Sequence, residues 1–474
     1  MKQKYIYLIL STLSLFAFSC IKEIDLTRGN LMEDKPVYLY PFQSEGDNVK
    51  AEILIKTKRP LLHKSLNAEI PHLKYNKSWL FMLTQDDCKQ AAFSCTWAAI
   101  NGKPLTNRYY YNIGHLLWDD LPPDVWYLGK TLGSTDGAGN EIRFTPTTTL
   151  NPDQSWMNEK IEIFMYNPKN NNRFGIKKGL VWNNVREMLN YGWGIAFHNL
   201  VVDNEKDVNA LLIQYSNAQD SILKHLNGRG CKTLAEPDGN KAYVTAALEY
   251  APIQTMTAQA GTVKLYPFKV TDDLHNVLIE RWFNDSPNYF KPLIEEQLQK
   301  PKEERMAVFI GVHGTDSGWV NFLLWLNDNY GKDGDDSMWF PSQEEYYEYN
   351  YYRTHGASPL IEVVDETTLK LTVDLPGGQY FYYPSVTVNV HGLKKQDIAS
   401  IETDDTVGGL SYADFEDGLM LNIDCRKYLP EHATHFVEQY EKDKDNASNK
   451  ADALYFVNML KDSQKKTELL NRIN

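Results

Sequence analysis

Short, almost continuously apolar runs recur through the middle of the chain, and segments with helical periodicity fill the intervals between them. Apolar residues in these runs do not alternate with polar ones, which is typical of strands that are covered on both faces. The runs that we predict as strands are SWLFML, GWGIAFH, TLAEP, IQTMTAQ and RMAVFIGVH.

Four amphipathic segments between or after these strands are predicted to be helices. In the first, Val185 and Leu189 share one helical face. The last begins with the capping-box spacing of Ser342 and Glu345. The four segments are VWNNVREMLNYG, DVNALLIQYSNAQDSILKHLNG, TDSGWVNFLLWLNDNYG and SQEEYYEYNYYRTHG. Because strand and helix alternate over residues 76–356, we expect a parallel α/β barrel or open sheet there.

The pattern changes on both sides of this central part. Residues 20–75 contain a polar tether and then two short strand candidates, VYLYPF and AEILIKT. Residues 357–430 carry β-rich runs separated by turn residues, such as Pro-Gly-Gly at 376–378, and predict a small β-sandwich. Residues 431–474 are charged and favour helix, so we expect a helical tail.

The N-terminus has the pattern of an export signal, which does not belong to the fold. Two lysines precede the apolar run YIYLILSTLSLFAFS, which is too short for a comfortable transmembrane helix. Ala17 and Ser19 flank its end and Cys20 follows, an arrangement that resembles the lipobox of bacterial lipoproteins. We therefore predict a signal peptide over 1–19 and a lipid on Cys20 that anchors the protein in the bacterial cell envelope, on the periplasmic or surface face of the outer membrane. An ordinary secretory signal followed by a chance cysteine is the alternative.

Composition narrows the classes of function. The chain has 474 residues, with 49 basic and 62 acidic side chains and a net charge of −13, which argues against a nucleic-acid partner. The 29 tyrosines and 11 tryptophans suit either sugar stacking or a large core. Four cysteines remain after Cys20 and form no CxxC pair, which argues against a thiolate zinc site. These cysteines are Cys88, Cys95, Cys231 and Cys425.

Polar residues with catalytic chemistry stand directly after the predicted strands. Active sites of parallel α/β folds gather at the carboxyl ends of the strands. The residues found there are Asp86, Asp87, His198, Glu236, Asp238 and His313. Adjacent carboxylates repel, and burying either one unpaired is costly, but a cation or exposure to water removes the penalty. Two aspartates and two histidines at one rim match the ligands and the acid–base groups of a metal-dependent hydrolase.

Several of these residues lie in segments that resemble a known family. The segment LTQDDC resembles the first motif of the polysaccharide deacetylase family (carbohydrate esterase family four), which usually reads Thr-Phe-Asp-Asp-Gly. GWGIAFHN is similar to the second motif, VFIGVHG to the late apolar strand that ends in His, and MWFPSQEEYY to the segment that follows it. The resemblance covers about residues 76–355 in the family's order. It implies a distorted (β/α) barrel, here with a C-terminal β-sandwich and a helical tail.

The resemblance also implies roles for individual residues. Asp86 would be the general base, and Asp87 and His198 would be metal ligands. His313 would be the acid that protonates the leaving group. The implied cofactor is a divalent metal, zinc in the first place. The implied reaction removes acetyl groups from an N- or O-acetylated glycan.

The chain departs from the family at three points. Val202 stands where the second motif has another His, and Asp203 is the predicted replacement ligand, with a helix N-cap as its alternative role. EPDGNKAY stands in place of the third motif, and Cys88 replaces the usual Gly of the first. Candidate substrate contacts, with core packing as the alternative for the two tryptophans, are Glu236, Asp238, Tyr243, Trp319 and Trp339.

Two other functions remain compatible with these residues. One is a non-catalytic surface glycan-binding lipoprotein that keeps the barrel and has lost the metal. The other is a glycoside hydrolase that pairs Asp86 with Glu236 or Asp238, which the separation of the carboxylates would decide.

Overall fold

The computed structural model describes residues 46–61, 66–117, 119–158, 174, 179–200 and 205–474. The predicted signal peptide, Cys20, the segment VYLYPF and Asp203 lie outside the described residues. The first strands are β1 (Val49–Thr57), β2 (Asn67–Glu69), β3 (Trp79–Gln85), β4 (Gly133–Thr135), β5 (Glu141–Arg143), β6 (Thr147–Leu150), β7 (Gly194–Phe197), β8 (Thr233–Ala235), β9 (Thr255–Ala258), β10 (Leu278–Glu280), β11 (Trp282–Phe283), β12 (Val308–Val312) and β13 (Met338–Trp339). The later strands are β14 (Leu360–Asp365), β15 (Thr368–Leu375), β16 (Ser385–His391), β17 (Ile398–Thr403), β18 (Gly409–Phe415) and β19 (Gly418–Asp424).

Helices alternate with the central strands and close the chain. They are α1 (Ala98–Ile100), α2 (Ile113–Leu117), α3 (Trp182–Asn190), α4 (Val208–His225), α5 (Lys241–Glu249), α6 (Phe290–Leu298), α7 (Ser317–Tyr330), α8 (Gln343–His355), α9 (Leu429–Lys442), α10 (Ala447–Asn458) and α11 (Gln464–Ile473). The four predicted helices are confirmed as α3, α4, α7 and α8. Polar N-caps start three of them, because the side chains of Asp207, Asp316 and Ser342 accept hydrogen bonds from backbone amides of the first turn.

A nearly closed parallel barrel forms the centre of the molecule. Its strands follow the order β10-β9-β8-β7-β6-β3-β12-β11, and β13 pairs with β3 beside this path. The end strands β10 and β11 are separated in the chain by Arg281 alone. One interrupted stretch therefore pairs with β9 on one side and with β12 on the other, and it brings the two ends of the sheet together. The predicted distorted (β/α) barrel is confirmed.

The strands of the barrel are buried for two different reasons. All seven residues of β3 are buried, as its continuous apolar run predicts. In contrast, β6 has the sequence TTTL, and its threonines are equally buried. Their hydroxyls have partners, since Thr147 Oγ1 accepts a hydrogen bond from the Gln343 amide and Thr149 Oγ1 accepts one from the Cys88 amide. Apolar patterning could not identify a strand of this kind.

Two four-stranded antiparallel sheets form the β-sandwich. Their orders are β14-β15-β1-β17 and β18-β19-β16-β2. The central strand β1 pairs with β15, with Ile53 opposite Leu371, and β2 pairs with β16, with Ala68 opposite Val390. The sandwich predicted for 357–430 is thus completed by strands from the N-terminal segment. The sequence pattern assigns residues 20–75 to a segment of their own, whereas β1 and β2 pair with strands of the C-terminal sandwich.

A buried network of charges joins the sandwich to the base of the barrel. Lys232, just before β8, lies 2.7 Å from Glu348 on α8 and also approaches Glu344 at 3.3 Å. The carboxylate of Glu348 accepts hydrogen bonds from the amides of Tyr382 and Tyr383, which lead into the sandwich. The three charged side chains are fully buried. Their pairing is what makes such burial tolerable, because an unpaired charge there would be strongly destabilising.

The helical tail packs against the barrel. On α9 and α10, the rings of Phe436 and Phe456 stack with their centroids 3.9 Å apart and belong to the core that the barrel helices share. Asp452 on α10 pairs with Lys103 and Arg143 and accepts a hydrogen bond from the Tyr191 hydroxyl. The tail is therefore held by both apolar packing and buried ion pairs.

The four cysteines after residue 45 are buried free thiols. In the described part of the chain, no helix combines the length and the apolar character that crossing a bilayer requires.

Candidate active site

The chain turns sharply where β3 ends, and this turn presents two carboxylates. The amide of Asp86 still donates to the carbonyl of Val312 at 2.7 Å, as a continuation of the sheet. Asp87 and Cys88 then adopt positive φ values of 61° and 53°. Such values are uncommon outside glycine and concentrate at functional sites. The conformation explains why Gly is usual at the position of Cys88 in the motif that LTQDDC resembles.

Asp86 is held by an arginine that the sequence reasoning missed. Arg281 Nη1 and Nη2 donate to the two carboxylate oxygens of Asp86 at 2.9 Å and 2.7 Å. Both side chains are buried, and the same guanidinium also donates to Thr84 Oγ1 and to the carbonyl of Glu236. A two-bond contact of this kind fixes both the charge and the orientation of the carboxylate. The only sign of this role in the sequence is that Arg281, with Glu280, stands between two apolar pairs in the segment LIERWF.

His198 follows β7 and faces both aspartates. Its Nδ1 lies 2.8 Å from the carbonyl oxygen of Ala235, so we assign the Nδ1–H to this bond. Its Nε2 lies 3.4 Å from Asp87 Oδ1 and 3.9 Å from Asp86 Oδ2. In the neutral ring this nitrogen carries a lone pair, and two acceptors then face each other. A proton or a cation between Nε2 and Asp87 removes that repulsion.

The pKa values of Asp87 and His198 are those expected when a proton lies between the two side chains. The hydrogen bond from His198 holds the pKa of Asp87 well below its usual range, although partial burial opposes the shift. Burial by itself would lower the pKa of His198, but the charge of Asp86 and the hydrogen bond to Asp87 outweigh it and raise the pKa. Each group therefore stabilises the charged form of the other.

His313 follows β12 and forms a dyad with a second carboxylate that the sequence reasoning missed. Its Nδ1 lies 3.2 Å from Asp285 Oδ2, and its Nε2 lies 3.9 Å from Asp87 Oδ2. The Phe283 ring and the imidazole pack edge to face, with centroids 4.6 Å apart. Asp285 thus orients the ring so that Nε2 faces Asp87. No motif in the sequence marks Asp285, which stands in an irregular segment.

A lysine completes the charge around Asp87. Lys89 Nζ lies 3.3 Å from Asp87 Oδ2, and its side chain is 43% exposed. This cation and His198 approach different oxygens of the same carboxylate. The structure therefore brings Asp86, Asp87, His198 and His313 together at one end of the barrel.

Glu236 and Asp238 have surroundings that differ from those of Asp86. The carboxylate of Glu236 lies 2.7 Å from Lys241 Nζ, and Asp238 is exposed in a turn with a φ of 51°. A glycoside hydrolase needs one free carboxylate and one protonated carboxyl group across the scissile bond. The ion pair of Glu236 with Lys241 disfavours that role for Glu236.

Three predicted substrate contacts are core residues instead. Tyr243, Trp319 and Trp339 are at most 1% exposed, so no face of their rings is open to a sugar. Trp319 has a supporting role, because its Nε1 donates to the carbonyl of Asp285 at 2.9 Å. Large aromatic side chains are buried for their apolar area more often than they are displayed.

The donor set suits a divalent metal. Among the described residues, no group of three or more His, Cys, Asp and Glu side chains is arranged as a metal cluster. Asp87 and His198 nevertheless supply a carboxylate oxygen and an imidazole nitrogen, the two donor types that zinc takes besides sulfur. Their facing acceptors, 3.4 Å apart, need a shared cation or proton. The predicted third ligand, Asp203, lies outside the described residues.

Comparison with protein families places most of the chain in one of them. The family described as "Putative polysaccharide deacetylase" matches residues 51–474. None of the curated proteins matches the chain. The matched stretch begins in β1 and ends at the last residue, so it includes the sandwich and the tail as well as the barrel.

Proposed function

The chain belongs to the polysaccharide deacetylase family, and from this premise we propose that it is a metal-dependent hydrolase that removes acetyl groups from an N- or O-acetylated polysaccharide. One observation carries the proposal. Four side chains meet at the carboxyl end of the barrel strands. Arg281 orients Asp86, and Asp285 orients His313. These two side chains lie beside the facing pair of Asp87 and His198. Enzymes that hydrolyse amides and esters need these groups: a base, an acid and a centre of positive charge.

Asp87 and His198 are the residues that would hold the metal. When bound there, a divalent ion such as zinc polarises a carbonyl and makes water more acidic. The remaining chemistry belongs to side chains of this chain.

Asp86 is the proposed general base. The two bonds from Arg281 hold its carboxylate in one orientation, and Gln85 and Asp87 anchor the turn on either side of it. From this position Asp86 accepts the proton of the attacking water. A positioned base commonly accelerates such a step by about 10²–10⁴-fold.

His313 is the proposed general acid. Asp285 holds Nδ1, which leaves Nε2 to deliver a proton to the leaving nitrogen or oxygen of the sugar. His313 is 43% exposed, so a polymer can reach it without opening the barrel.

Acetate release from acetylated oligosaccharides tests the proposed function. We expect activity that requires added Zn²⁺ or a similar ion and disappears with a chelator. Asp86→Asn should abolish turnover and leave metal binding largely intact, since it removes the base and keeps the shape. His313→Ala should impair N-acetyl substrates more than aryl esters, whose leaving groups need less protonation. Retained glycan binding without acetate release, with metal supplied, would favour the glycan-binding alternative.

We also propose that the protein is a lipid-anchored protein of the cell envelope. The proposal is supported by the basic start, the apolar run and Cys20 after Ala17 and Ser19. Cys20→Ala should release a soluble or unprocessed form, because stable anchoring requires acyl chains. Fractionation of this variant with membranes, as for the parent chain, would contradict the anchor.

A further inference from the structure

A groove of about 720 Å³ lies between the β-sandwich and the helical tail. We call it the tail groove and define it by its five cationic side chains, Lys50, Arg426, Lys427, Lys461 and Lys465. Its volume falls within the range of about 300–1,000 Å³ that is typical of ligand sites.

The tail groove is separate from the candidate active site. Tyr382 lines it, and the Tyr382 hydroxyl accepts a hydrogen bond from the Gly230 amide at 2.7 Å. Gly230 precedes β8, whereas Glu236 follows it. The groove therefore lies toward the amino ends of the barrel strands, and the active-site residues lie at the carboxyl ends.

The charge of the groove is opposite to that of the protein. Two carboxylates, of Asp47 and Asp405, accompany its five cations, and a third, of Asp424, pairs with Arg426 at 2.6 Å. The four lysines therefore supply the excess of positive charge, in a chain whose net charge is −13. Lys50 and Lys427 are exposed to solvent, and the side chain of Lys465 is 41% exposed. A concave surface of one charge attracts ligands of the other. The occupant that fits is therefore anionic.

The remaining lining is aromatic and apolar. Phe381 and Leu460 in this lining are buried, and Tyr382 and Tyr428 are half-buried. Lys427 Nζ lies 5.5 Å from the centre of the Tyr428 ring. The faces of aromatic rings suit the apolar faces of sugar rings, and the adjacent cations suit carboxylates.

We propose that the tail groove is a second glycan site that binds an acidic polysaccharide with carboxylate-bearing sugars, such as a polyuronate. A nucleic acid is disfavoured, because its phosphates need a basic footprint larger than the cations of this one groove supply. A lipid surface is flat, whereas this site is concave with a partly apolar lining. The site goes beyond the proposed function, because the binding of an acidic chain here requires no residue of the active site.

The test is calorimetric titration of the full chain with hexagalacturonate, with neutral cellohexaose as the comparison ligand. The groove variant is Lys427→Glu with Lys465→Glu. A matched variant, Lys224→Glu with Lys302→Glu, makes the same change in net charge at exposed positions outside the groove. Hydrolysis of an aryl acetate, measured in parallel, reports on the active site and keeps failure of the proposed function distinguishable.

We expect hexagalacturonate to bind more tightly than cellohexaose. The groove variant should weaken this binding by about tenfold and the matched variant much less, with unchanged aryl acetate hydrolysis in both. Absence of hexagalacturonate binding, or equal weakening in both variants, overturns the proposal. Binding of phosphatidylglycerol vesicles in place of hexagalacturonate, lost in the groove variant, would assign the groove to lipid. Crosslinks from Lys35 to Lys427 or Lys465 would assign it to the N-terminal segment of the chain.

Discussion

Arg281 is the residue on which the proposed base depends. It makes two hydrogen bonds to Asp86 and further bonds to Thr84 and the Glu236 carbonyl, all away from solvent. Because it touches Asp86 and not the reacting atoms, it is a positioning residue. Its contribution is orientation, which a charge alone does not supply.

Replacing Arg281 tests this role. Arg281→Met should lower kcat by about 10²-fold, because Asp86 is no longer held in one orientation. KM should change little, because the substrate contacts remain. It should also destabilise the fold by about 3 kcal/mol, because Asp86 stays buried without its partner. Arg281→Lys, which keeps the charge without the fork, should recover most of the stability and little of kcat. Equal kcat in both variants and the parent would contradict the assignment.

Lys89 should compete with the metal for Asp87. Its ammonium lies 3.3 Å from the carboxylate and would repel a divalent ion held by the same group. Lys89→Met should therefore bind Zn²⁺ about fivefold more tightly than the parent in a calorimetric titration. Lys89→Arg keeps the charge and should resemble the parent. Equal affinity of the Met variant and the parent would contradict the competition.

At the scale of residues, the sequence predicted the groups that follow strands and missed those that hold them. Asp86, Asp87, His198 and His313 stand at strand ends, where the chemistry of parallel folds gathers. Arg281 and Asp285 are about 195 and 28 residues from their partners, and only the closed barrel brings them into contact. Three predicted substrate contacts failed because aromatic content does not distinguish an exposed ring from a buried one.

At the scale of elements, one buried carboxylate contributes to holding the helical tail in place. Asp452 lies on α10 and pairs with Lys103 and Arg143. Burial alone would raise the pKa of Asp452, but these two cations outweigh it and hold the pKa below its ordinary value. A carboxylate of this kind stabilises the fold above the pKa of the unfolded chain, and the stabilisation is lost as the pH falls through the lower folded pKa.

Asp452→Asn tests this contribution. We expect the variant to lose about 3 kcal/mol of unfolding free energy at neutral pH, because two buried cations lose their partner. Urea denaturation over a pH series should show a constant difference from the parent above pH about 5 and a shrinking one below pH about 4. A difference that does not depend on pH would assign the loss to shape rather than to charge.

The elements that the sequence missed share a physical cause. β6 is buried with threonines in place of apolar residues, and β10 and β11 span too few residues to show any period. The predicted strands and helices were found because each has a strong pattern over enough residues. Hydroxyls satisfied by a neighbouring helix, as at Thr147, leave no such pattern.

At the scale of the molecule, barrel, sandwich and tail form one unit. β1 precedes the barrel in the chain but pairs with β15 and β17 beyond it. Glu348 binds the amides of Tyr382 and Tyr383, and residues of the tail share the core of the barrel. The sequence could not reveal these pairings, because strand partners so far apart leave no local signal. The family match over 51–474 agrees with a single unit.

A shortened chain that ends at residue 356 tests whether the barrel depends on the sandwich and the tail. We expect it not to fold into a stable barrel, because β1 loses both of its neighbouring strands. Glu348, the partner of Lys232, also loses the backbone amides of the sandwich that it binds. Circular dichroism and urea denaturation should show a single cooperative transition for the parent and none for the shortened chain. A cooperative transition with acetate release in the shortened chain would show that the barrel is independent.

The interrupted strand that closes the barrel also ties the partner of Asp86 to closure of the sheet. Arg281 lies at the interruption, so its guanidinium meets Asp86 when β10 has joined β9 and β11 has joined β12. The contact between Arg281 and Asp86 therefore depends on both ends of the sheet at once, and a change that displaces either β10 or β11 would also displace the guanidinium from the carboxylate.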